Sequence, residues 1–283
     1  MAARKLGLCA GGGDVPAAVA ERAVAEGRQV HVLAFDGVTD PELLATYPHD
    51  FIQFDRPGQI LSRLKAADCQ DICMVGGVAR PDFKKLRPDL TGISLLPKVI
   101  AAARKGDDAI LQVLVSFFEG HGFGVLGAHE IGEAQMVVTE GPLGSVQPQK
   151  HDQADIDKGI GIVKAIGALD IGQGAVLRQG HVIAVEAAEG TDAMLERCAG
   201  LTGGESVGRG GVLIKWPKPQ QDHRVDMPTI GPKTVELAAA AGLNGIAVCA
   251  DATLVIDRPA VQRLADEKGM FVLGVAVEDG PQK

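Results

Sequence analysis

Short apolar segments alternate with amphipathic segments through the first half of the chain. The strand-like segments KLGLCA, QVHVLAF, DFIQF and DICMVGG are separated by helical spacing in VPAAVAERAVAEG and in a segment that begins near Gly58. LPKVIAAARK and DDAILQVLVSFFEGHG predict two further helices, the second with Gly122 as its C-cap, and FGVLGAHEI predicts a last strand. This alternation indicates a parallel sheet with helices on both faces.

The pattern of the second half differs, because it contains a candidate hairpin. After a helix predicted by ADIDKGIGIVKAIGALD, the segment AVLRQGHVIAVEA predicts two strands joined at a Gln-Gly turn, and hence an antiparallel pair. A helix from Thr191, strand VLIKW, a helix from Lys233, strand GIAVCA and a final helix and strand ending in FVLGVAVE follow. This half therefore predicts an α/β arrangement around a mixed sheet.

A break in periodicity separates the two halves. Between about His129 and His151, TEGPLGSVQPQKHD carries proline and glycine that interrupt regular elements, and it predicts a linker. A chain of 283 residues with 46% apolar residues is long enough for two ordinary domains. We predict a Rossmann-like domain with a parallel sheet at 1–133, a linker at 134–150 and a mixed-sheet α/β domain at 151–283.

Charge and cysteine usage exclude several classes of protein. The formal net charge of -8 argues against a nucleic-acid partner, since phosphate backbones are bound through clustered lysine and arginine. The scattered cysteines suggest neither a disulfide framework nor a zinc site, and a reducing cytoplasm fits them best: Cys9, Cys69, Cys73, Cys198 and Cys249. The longest apolar stretches are too short to cross a bilayer, so the expectation is a soluble protein or one on a membrane surface.

A glycine-rich turn, LCAGGGDVP, follows the first predicted strand and opens the first helix. Backbone N–H groups at such a place can bind phosphate. Gly11 and Gly13 match the start of a dinucleotide fingerprint, but Pro16 stands where its third glycine is expected and Asp14 adds a negative charge. Asp36, at the end of the second strand, is placed like a ribose-binding carboxylate. The alternative is a tight structural turn without a ligand.

The segment EGTD, Glu189 to Asp192, lies at a predicted strand-to-helix junction. Thr191 is a natural N-cap, and the neighbouring backbone N–H groups could bind an oxyanion. A capped helix without any ligand explains the same residues.

The segment DHRVDMPTIGPKT is polar although it stands between two segments with core patterns. Lys215, Lys218 and Arg224 lie close in sequence to Asp222 and Asp226. Cations can hold phosphate oxygens while a carboxylate holds a divalent metal, and pyrophosphate cleavage needs both. A solvated loop of mixed charge is the alternative, although its prolines stiffen it: Pro217, Pro219, Pro228 and Pro232.

Other candidate catalytic groups are weaker. The histidines show no H-x-x-x-H spacing, so no zinc site is predicted. His223 falls in the charged segment and is better interpreted as a loop residue than as a base. Cys9 and Ser145 have no histidine nearby in sequence, so covalent catalysis lacks support.

Motifs throughout the chain resemble the UDP-2,3-diacylglucosamine pyrophosphatases of lipid A biosynthesis, of the LpxI type. They are LCAGGGDVP, GGVARPDF, GDDAILQ, GPLG, DIGQGAVL, VEAAEGTDAML and KPQQDHRVDMPTIGPKTVELAAAAGLNGIAV, the last two being the most specific. The chain departs from the family at Val225, where an aromatic residue is usual, and at Asp251, close to a family glycine.

The resemblance implies a two-domain enzyme that uses Mg²⁺, with its active site in a cleft between the domains. The reaction is hydrolysis of UDP-2,3-diacylglucosamine to UMP and 2,3-diacylglucosamine 1-phosphate. By matching motif, Asp226 is the metal-binding catalytic carboxylate. The other residues implied to bind substrate are Gly11, Gly12, Asp14, Arg80, Gln173, Glu189, Gly190, Thr191, Asp192, Lys215, Gln221, Asp222, Arg224 and Thr229.

The resemblance further implies a lipid-linked UDP-sugar partner and a cytoplasmic protein in transient contact with the inner face of the inner membrane. A homodimer is compatible with the sequence. The base that activates water stays open between a metal-bound hydroxide and a second carboxylate. Two other classes stay open as well: an NAD(P)-dependent oxidoreductase with an unusual glycine turn, and a lipid-binding module without catalysis.

Overall fold

A computed structural model describes residues 4–78, 86–131, 136–202 and 209–277. The chain divides into two units, and the division does not follow sequence order. The N-terminal unit comprises Met1–Ala134 together with Asp222–Asp226, and the C-terminal unit comprises Gln135–Gln221 together with Met227–Lys283. The short segment 222–226, which the predicted domain boundaries assign to the second half, thus belongs by its contacts to the first unit.

The N-terminal unit is built around a parallel sheet, as the alternating pattern predicts. Its strands pair in the order β3-β2-β1-β4-β5. They are β1 (Leu6–Ala10), β2 (Val30–Phe35), β3 (His49–Ile52), β4 (Asp71–Val75) and β5 (Gly124–Leu126). The helices are α1 (Val15–Ala25), α2 (Pro41–Thr46), α3 (Pro57–Ala66), α4 (Leu90–Ala103) and α5 (Asp107–Gly120), followed by a 3₁₀ turn at Ala128–Glu130.

Burial explains why these segments form the centre of the unit. Every residue of β1 is buried, as expected for the middle strand of a sheet covered on both faces. Leu33, Leu64, Ile72 and Phe118 pack into one apolar cluster between the sheet and its helices. The prediction of a Rossmann-like parallel sheet is confirmed.

Strand order reverses between β1 and β4. From β1 the chain proceeds to β2 and β3 on one side, whereas β4 and β5 extend the sheet on the other side. In open α/β sheets, ligands bind outside the carboxyl ends of the strands at such a reversal. The glycine turn after β1 therefore lies where a ligand crevice is expected.

The C-terminal unit contains the predicted mixed sheet. Its strands pair in the order β6-β13-β11-β9-β7-β8, with β9–β11 and β11–β13 parallel and the remaining pairs antiparallel. They are β6 (Gly141–Pro142), β7 (Gly174–Arg178), β8 (His181–Val185), β9 (Val212–Lys215), β11 (Gly245–Cys249) and β13 (Phe271–Val275), while β10 (Thr229–Ile230) pairs in parallel with β12 (Leu254–Val255). The helices are α6 (Lys150–Ala168), α7 (Gly190–Thr202), α8 (Pro232–Ala240) and α9 (Arg258–Glu267).

Alternate residues of the central strands belong to two different apolar clusters, one on each face of the sheet. On β11, Ile246 and Val248 pack with residues of α7, α8 and α9, whereas Ala247 and Cys249 pack on the other face with α6 and Trp216. This is the period-two alternation of a strand covered on both faces.

The Gln-Gly turn forms the predicted antiparallel hairpin. Gln179 and Gly180 both have positive φ, 51° and 78°, as a two-residue type I′ turn requires, and they join β7 to β8. Part of the segment predicted as a linker instead pairs with the sheet, because β6 hydrogen-bonds β13. In the described part of the chain, no helix is both long enough and apolar enough to cross a bilayer.

Candidate functional site

The glycine turn after β1 is held by backbone hydrogen bonds to the turn after β4. The N–H of Gly11 donates to the carbonyl of Val75 at 2.8 Å, and Gly12 and Gly77 exchange N–H to carbonyl bonds of 2.9 Å each. Two of the donors on which the phosphate-binding hypothesis depends are thus already used within the fold. This geometry does not favour binding of a dinucleotide phosphate by the turn.

Close packing also explains the glycines of this turn. A Cβ on Gly11 would lie 2.6 Å from the carbonyl carbon of Gly76, and a Cβ on Gly76 would lie 2.8 Å from the carbonyl carbon of Gly11. Gly12 has more room, since its Cβ would meet its nearest neighbour, the carbonyl oxygen of Val38, at 3.4 Å. Gly11 is therefore needed for packing, whereas Gly12 could approach a ligand.

Gly13 and Asp14 form the exposed end of the turn. Gly13 has a φ of 90° and nothing within 4 Å of where its Cβ would be. Asp14 is exposed and occupies the N-cap position of α1 without a side-chain capping bond. A nucleotide would meet the turn here. The predicted residue Arg80 lies outside the described residues.

Residues 222–226 form a tight turn that packs on the N-terminal unit. The N–H groups of Val225 and Asp226 both donate to the carbonyl of Asp222 at 3.0 Å. Val225 packs against the apolar cluster of that unit, which includes Phe118. Its apolar side chain thus anchors a segment whose other side chains are polar.

Arg224 pairs with two carboxylates. Its Nη2 lies 2.8 Å from Asp222 Oδ2, its Nε donates to Asp222 Oδ1 at 3.0 Å, and its Nη1 lies 2.7 Å from Glu119 Oε1. The hydrogen bonds from Arg224 lower the pKa of Asp222, and those to Asp222 and Glu119 raise the pKa of Arg224. This cation is already compensated within the fold.

The charge of the segment favours a cation as its ligand. Arg224 bonds to Asp222 and Glu119, and Asp226 adds a further carboxylate to the segment. Carboxylates attract a divalent cation or its phosphate complex more than a bare phosphate. Asp226 is half-buried, and its carboxylate oxygens are hard ligands of the kind that Mg²⁺ prefers.

The described residues contain no ready-made metal cage. Within the ranges 4–78, 86–131, 136–202 and 209–277, His, Cys, Asp and Glu side chains form no group of three or more that could hold a metal ion. Mg²⁺ in phosphate chemistry is commonly held by one or two carboxylates, substrate phosphates and water. The donor set around Asp226 fits that second arrangement.

Two histidines lie in this region, and sequence reasoning missed one of them. A Cβ on Gly127 would lie 2.6 Å from Nδ1 of His129 and 2.9 Å from Cα of Arg224, so His129 and segment 222–226 approach the same glycine. Burial, and secondarily the neighbouring His129, lower the pKa of His223. A neutral imidazole is the form that can accept a proton. No spacing signal connects His129 with His223 in the sequence.

The residue that precedes this segment is fixed within the C-terminal unit. Gln221 is buried, and its Oε1 accepts a hydrogen bond from the N–H of Lys218 at 3.0 Å. Its Nε2 donates to Oε1 of Gln173 at 3.3 Å. Lys218 in turn bonds Asp170 at 2.6 Å. The structure thus brings the predicted residues Gln173 and Gln221 together.

The chain beyond Asp226 is fixed by a buried lysine. Lys215 has 7% of its surface exposed, and its Nζ donates to the carbonyl of Thr229 at 2.8 Å. Thr229 begins β10, which pairs with β12. Lys215 and Thr229, which the resemblance implies to bind substrate, contact each other through this hydrogen bond, which gives them a role in positioning the chain.

A buried carboxylate that the sequence analysis missed lies close to these residues. Glu186 is 7% exposed, its N–H donates to the carbonyl of Gly174 at 2.8 Å, and its side chain lies over that glycine. Gly174 is also opposite Lys215 in the neighbouring strand. Directly opposed residues share a sheet face, so Glu186 and Lys215 flank Gly174 on one face. The glycine in DIGQGAVL is the signal that could have indicated it.

The predicted residues at the start of α7 pair with nearby side chains. The helix begins at Gly190, which has a φ of 79°, so Thr191 lies in its first turn rather than at the N-cap. Glu189 bonds Arg197 at 2.9 Å, and Asp192 bonds Lys233 at 2.7 Å. Hydrogen bonds from its own N–H and from Arg197 lower the pKa of Glu189.

The candidate nucleophiles are poorly suited to attack. Cys9 is buried, and burial raises the pKa of its thiol to about 12, so little reactive thiolate forms at neutral pH. The hydroxyl of Ser145 donates to Asp266 at 2.9 Å rather than to a histidine. Neither residue is therefore placed as an activated nucleophile.

Comparisons with known proteins cover both units. Residues 5–135 match a family model described as the LpxI N-terminal domain, and residues 139–273 match one described as the LpxI C-terminal domain. A protein of Caulobacter vibrioides named UDP-2,3-diacylglucosamine pyrophosphatase LpxI is 48% identical over 281 residues, which is 98% of this chain and 100% of that protein.

Proposed function

The chain belongs to the LpxI family, and from that membership we propose that it hydrolyses the pyrophosphate bond of UDP-2,3-diacylglucosamine in lipid A biosynthesis. The products are UMP and 2,3-diacylglucosamine 1-phosphate. The observation that carries this proposal is the 48% identity to the named pyrophosphatase over nearly the full length of both chains.

We assign the metal-binding role to Asp226. The half-buried carboxylate of Asp226 offers hard oxygen ligands, which supports a cation at this place, and Mg²⁺ is the one that pyrophosphate chemistry most often uses. When bound, the ion would compensate the charge that develops on the phosphoryl oxygens. The chain's own part is to hold the Asp226 carboxylate in place through Val225 packing and the turn to Asp222.

The remaining predicted residues fall into three groups: contacts of the nucleotide, residues that support the segment, and further predicted contacts of the substrate. Gly12 and Asp14 stay predicted contacts of the nucleotide, with Gly13 between them, because that end of the turn is accessible. Gln173, Gln221, Lys215 and Thr229 support the segment by fixing the chain on both sides of it. The resemblance further implies contacts with substrate, which stay predictions, at Arg80, Glu189, Gly190, Thr191 and Asp192.

The test of the proposed function is release of UMP from detergent-dispersed UDP-2,3-diacylglucosamine by the purified protein. We expect activity that EDTA abolishes and that added Mg²⁺ restores. Full activity in metal-free buffer would remove the metal from the proposal but leave the hydrolysis standing. Absence of UMP release with and without Mg²⁺ would contradict the function itself.

Labelled water identifies the bond that breaks. In hydrolysis with H₂¹⁸O, the label enters either UMP or the sugar phosphate, according to which phosphorus is attacked. Label in one of the two products supports hydrolysis and identifies the phosphorus that water attacks. Products without label would indicate transfer to another acceptor and contradict a pyrophosphatase.

The lipid part of the substrate suggests where the enzyme works. Acyl chains hold such a molecule in a bilayer, so we propose a cytoplasmic enzyme in transient contact with the inner face of the inner membrane. Cell fractionation at low and high salt checks this, because a peripheral protein leaves the membrane as salt rises. The homodimer stays a prediction, which light scattering on the eluting protein can check.

A further inference from the structure

Helix α4 exposes an apolar face. Leu90 is 86% exposed, Ile93 57% and Ile100 40%. The buried residues of the helix are different ones, Gly92, Leu95 and Ala102. Exposed aliphatic side chains on one helix are costly to leave in water, and they mark a contact surface when they are contiguous.

The exposed residues are contiguous. Positions 90, 93, 97 and 100 follow steps of three or four residues, and 101 is four residues after 97, so these positions lie on one side of the helix. A shallow groove of about 430 Å³ follows this side. Its lining residues are Ile93, Leu96, Pro97, Ile100, Ala101 and Arg104. A helix of 14 residues is about 21 Å long, so the stripe could lie flat on a surface.

The charges beside this stripe are positive, although the chain as a whole is acidic. Lys98, Arg104 and Lys105 are exposed, and no aspartate or glutamate lies within α4. From Arg87 to Lys105 the sequence contains four lysine or arginine residues and one aspartate, against a net charge of -8 for the whole chain. Basic charge next to an exposed apolar stripe is the arrangement of helices that lie in the interface of anionic membranes.

We infer that the exposed face of α4, formed by Leu90, Ile93, Pro97, Ile100 and Ala101 with Lys98, Arg104 and Lys105 beside it, binds the surface of an anionic phospholipid bilayer. The inference rests on the proposed function, because a diacylated substrate resides in such a bilayer. A second copy of this chain fits the face less well, since a symmetric contact would bring the same lysines and arginines together. The apolar side chains would enter the acyl boundary while the cations contact phosphate headgroups.

Vesicle flotation with the full-length protein, without substrate, tests the inference. Vesicles of phosphatidylglycerol and phosphatidylethanolamine should bind the wild-type protein, and vesicles of phosphatidylcholine should bind it at least about tenfold more weakly. The double variant Ile93→Glu/Ile100→Glu and the double variant Arg104→Gln/Lys105→Gln should each lose about tenfold or more of the binding to anionic vesicles.

Leu201→Glu is the matched control, because Leu201 is 61% exposed on a helix of the other unit. It should bind vesicles like the wild type. An unchanged thermal midpoint in each variant shows that the fold is retained. All variants should hydrolyse detergent-dispersed substrate at the wild-type rate, since α4 is outside the proposed catalytic residues.

The outcomes separate the two proposals. Wild-type protein that does not float with anionic vesicles overturns the inference, and so does equal binding by Ile93→Glu/Ile100→Glu and Leu201→Glu. A wild-type dimer that the same double variant converts to monomer shows a protein interface instead and also overturns it. Normal flotation with no hydrolysis of dispersed substrate contradicts the proposed function alone.

Discussion

The glycine turn after β1 and the segment Asp222–Asp226 belong to the same unit but are held by different interactions. Backbone hydrogen bonds and glycine contacts without space for a Cβ fix the turn at Gly11 and Gly76. Side-chain ion pairs and one apolar side chain, Val225, fix the segment. Substitutions in the turn should therefore lower the stability of the fold. Substitutions in the segment should change its chemistry and leave the fold intact.

Asp226→Asn should give the largest effect and should separate chemistry from folding. Loss of the carboxylate removes the proposed metal ligand, so kcat should fall at least about a hundredfold, the scale for one preorganised electrostatic partner. The free energy of unfolding should change by less than about 1 kcal/mol. Measurement of kcat and of the thermal midpoint checks both parts.

The control for Asp226 is Asp68→Asn, at an exposed aspartate of the same unit. Asp68 has a φ of 54°, which asparagine also tolerates. Its kcat should equal that of the wild type. A near-normal kcat for Asp226→Asn would remove the residue from the mechanism, and a collapsed thermal midpoint would show that it is structural.

Gly11→Ala should give the largest effect on stability. Its Cβ would lie 2.6 Å from the Gly76 backbone, and overpacking of this kind costs about 1–3 kcal/mol, or roughly 4–10 °C in the thermal midpoint. Gly12→Ala should keep the midpoint, because its nearest neighbour is 3.4 Å away. Differential scanning calorimetry compares them. Equal midpoints would contradict the packing argument.

Gly12→Val tests whether this turn also binds the nucleotide. The larger side chain should raise KM for substrate by keeping the nucleotide from the backbone, with kcat less affected. The measurement is steady-state kinetics on a variant with a normal thermal midpoint. An unchanged KM would leave the turn with a structural role only.

Arg224→Gln should have a smaller effect on stability, and salt should reveal its origin. The variant loses the pairs to Asp222 and Glu119, which are partly exposed, so the loss should be about 1 kcal/mol. The difference from wild type should shrink near 0.5 M NaCl, whereas that of Gly11→Ala should not. Glu119→Gln removes one of the two pairs, so its free energy of unfolding should lie between those of Arg224→Gln and wild type. Urea unfolding at two salt concentrations checks this, and salt-independent losses would contradict it.

The pH dependence of stability should give the smallest effect. Burial and His129 lower the pKa of His223, so the unfolded chain binds a proton more readily than the folded one. This contribution is fully present above the unfolded pKa of about 6.5 and is lost as pH falls from there through the lower folded pKa. As the pH falls from about 7 to about 5.5, the free energy of unfolding of His223→Gln should therefore decrease less than that of wild type. Urea unfolding at several pH values checks this prediction, with His181→Gln at an exposed position as control. The same change of unfolding free energy with pH in His223→Gln and wild type would contradict it.

Local signals predicted much of the fold. The strands of both sheets other than β6, the hairpin at Gln179–Gly180 and the end of α5, where Gly122 has a φ of 90°, depend on neighbouring residues and were visible in the sequence. Helix α2 and the two-residue strands β10 and β12 were not, because they are too short for a periodic pattern. Asp251 has a φ of 58°, in the region that favours glycine, which agrees with the family glycine nearby.

The candidate site was less accessible to sequence reasoning. Its residue types were visible, but their partners come from distant parts of the chain: Glu119 for Arg224, His129 for His223 and Asp170 for Lys218. Charge and the family motif made Lys215 a candidate phosphate ligand, but neither indicated that the fold also uses it to hold the carbonyl of Thr229. Such choices depend on tertiary contacts that no local pattern encodes.

The position of Asp222–Asp226 in the N-terminal unit has a consequence for synthesis of the protein. The ribosome finishes Ala134 about ninety residues before Asp226, an interval of roughly 5–20 s at usual elongation rates. During that time the emerging unit lacks Val225, which packs against its apolar cluster. The first unit to be translated is thus completed only when most of the second has been made, and premature termination before Asp222 would release it with part of its apolar surface uncovered.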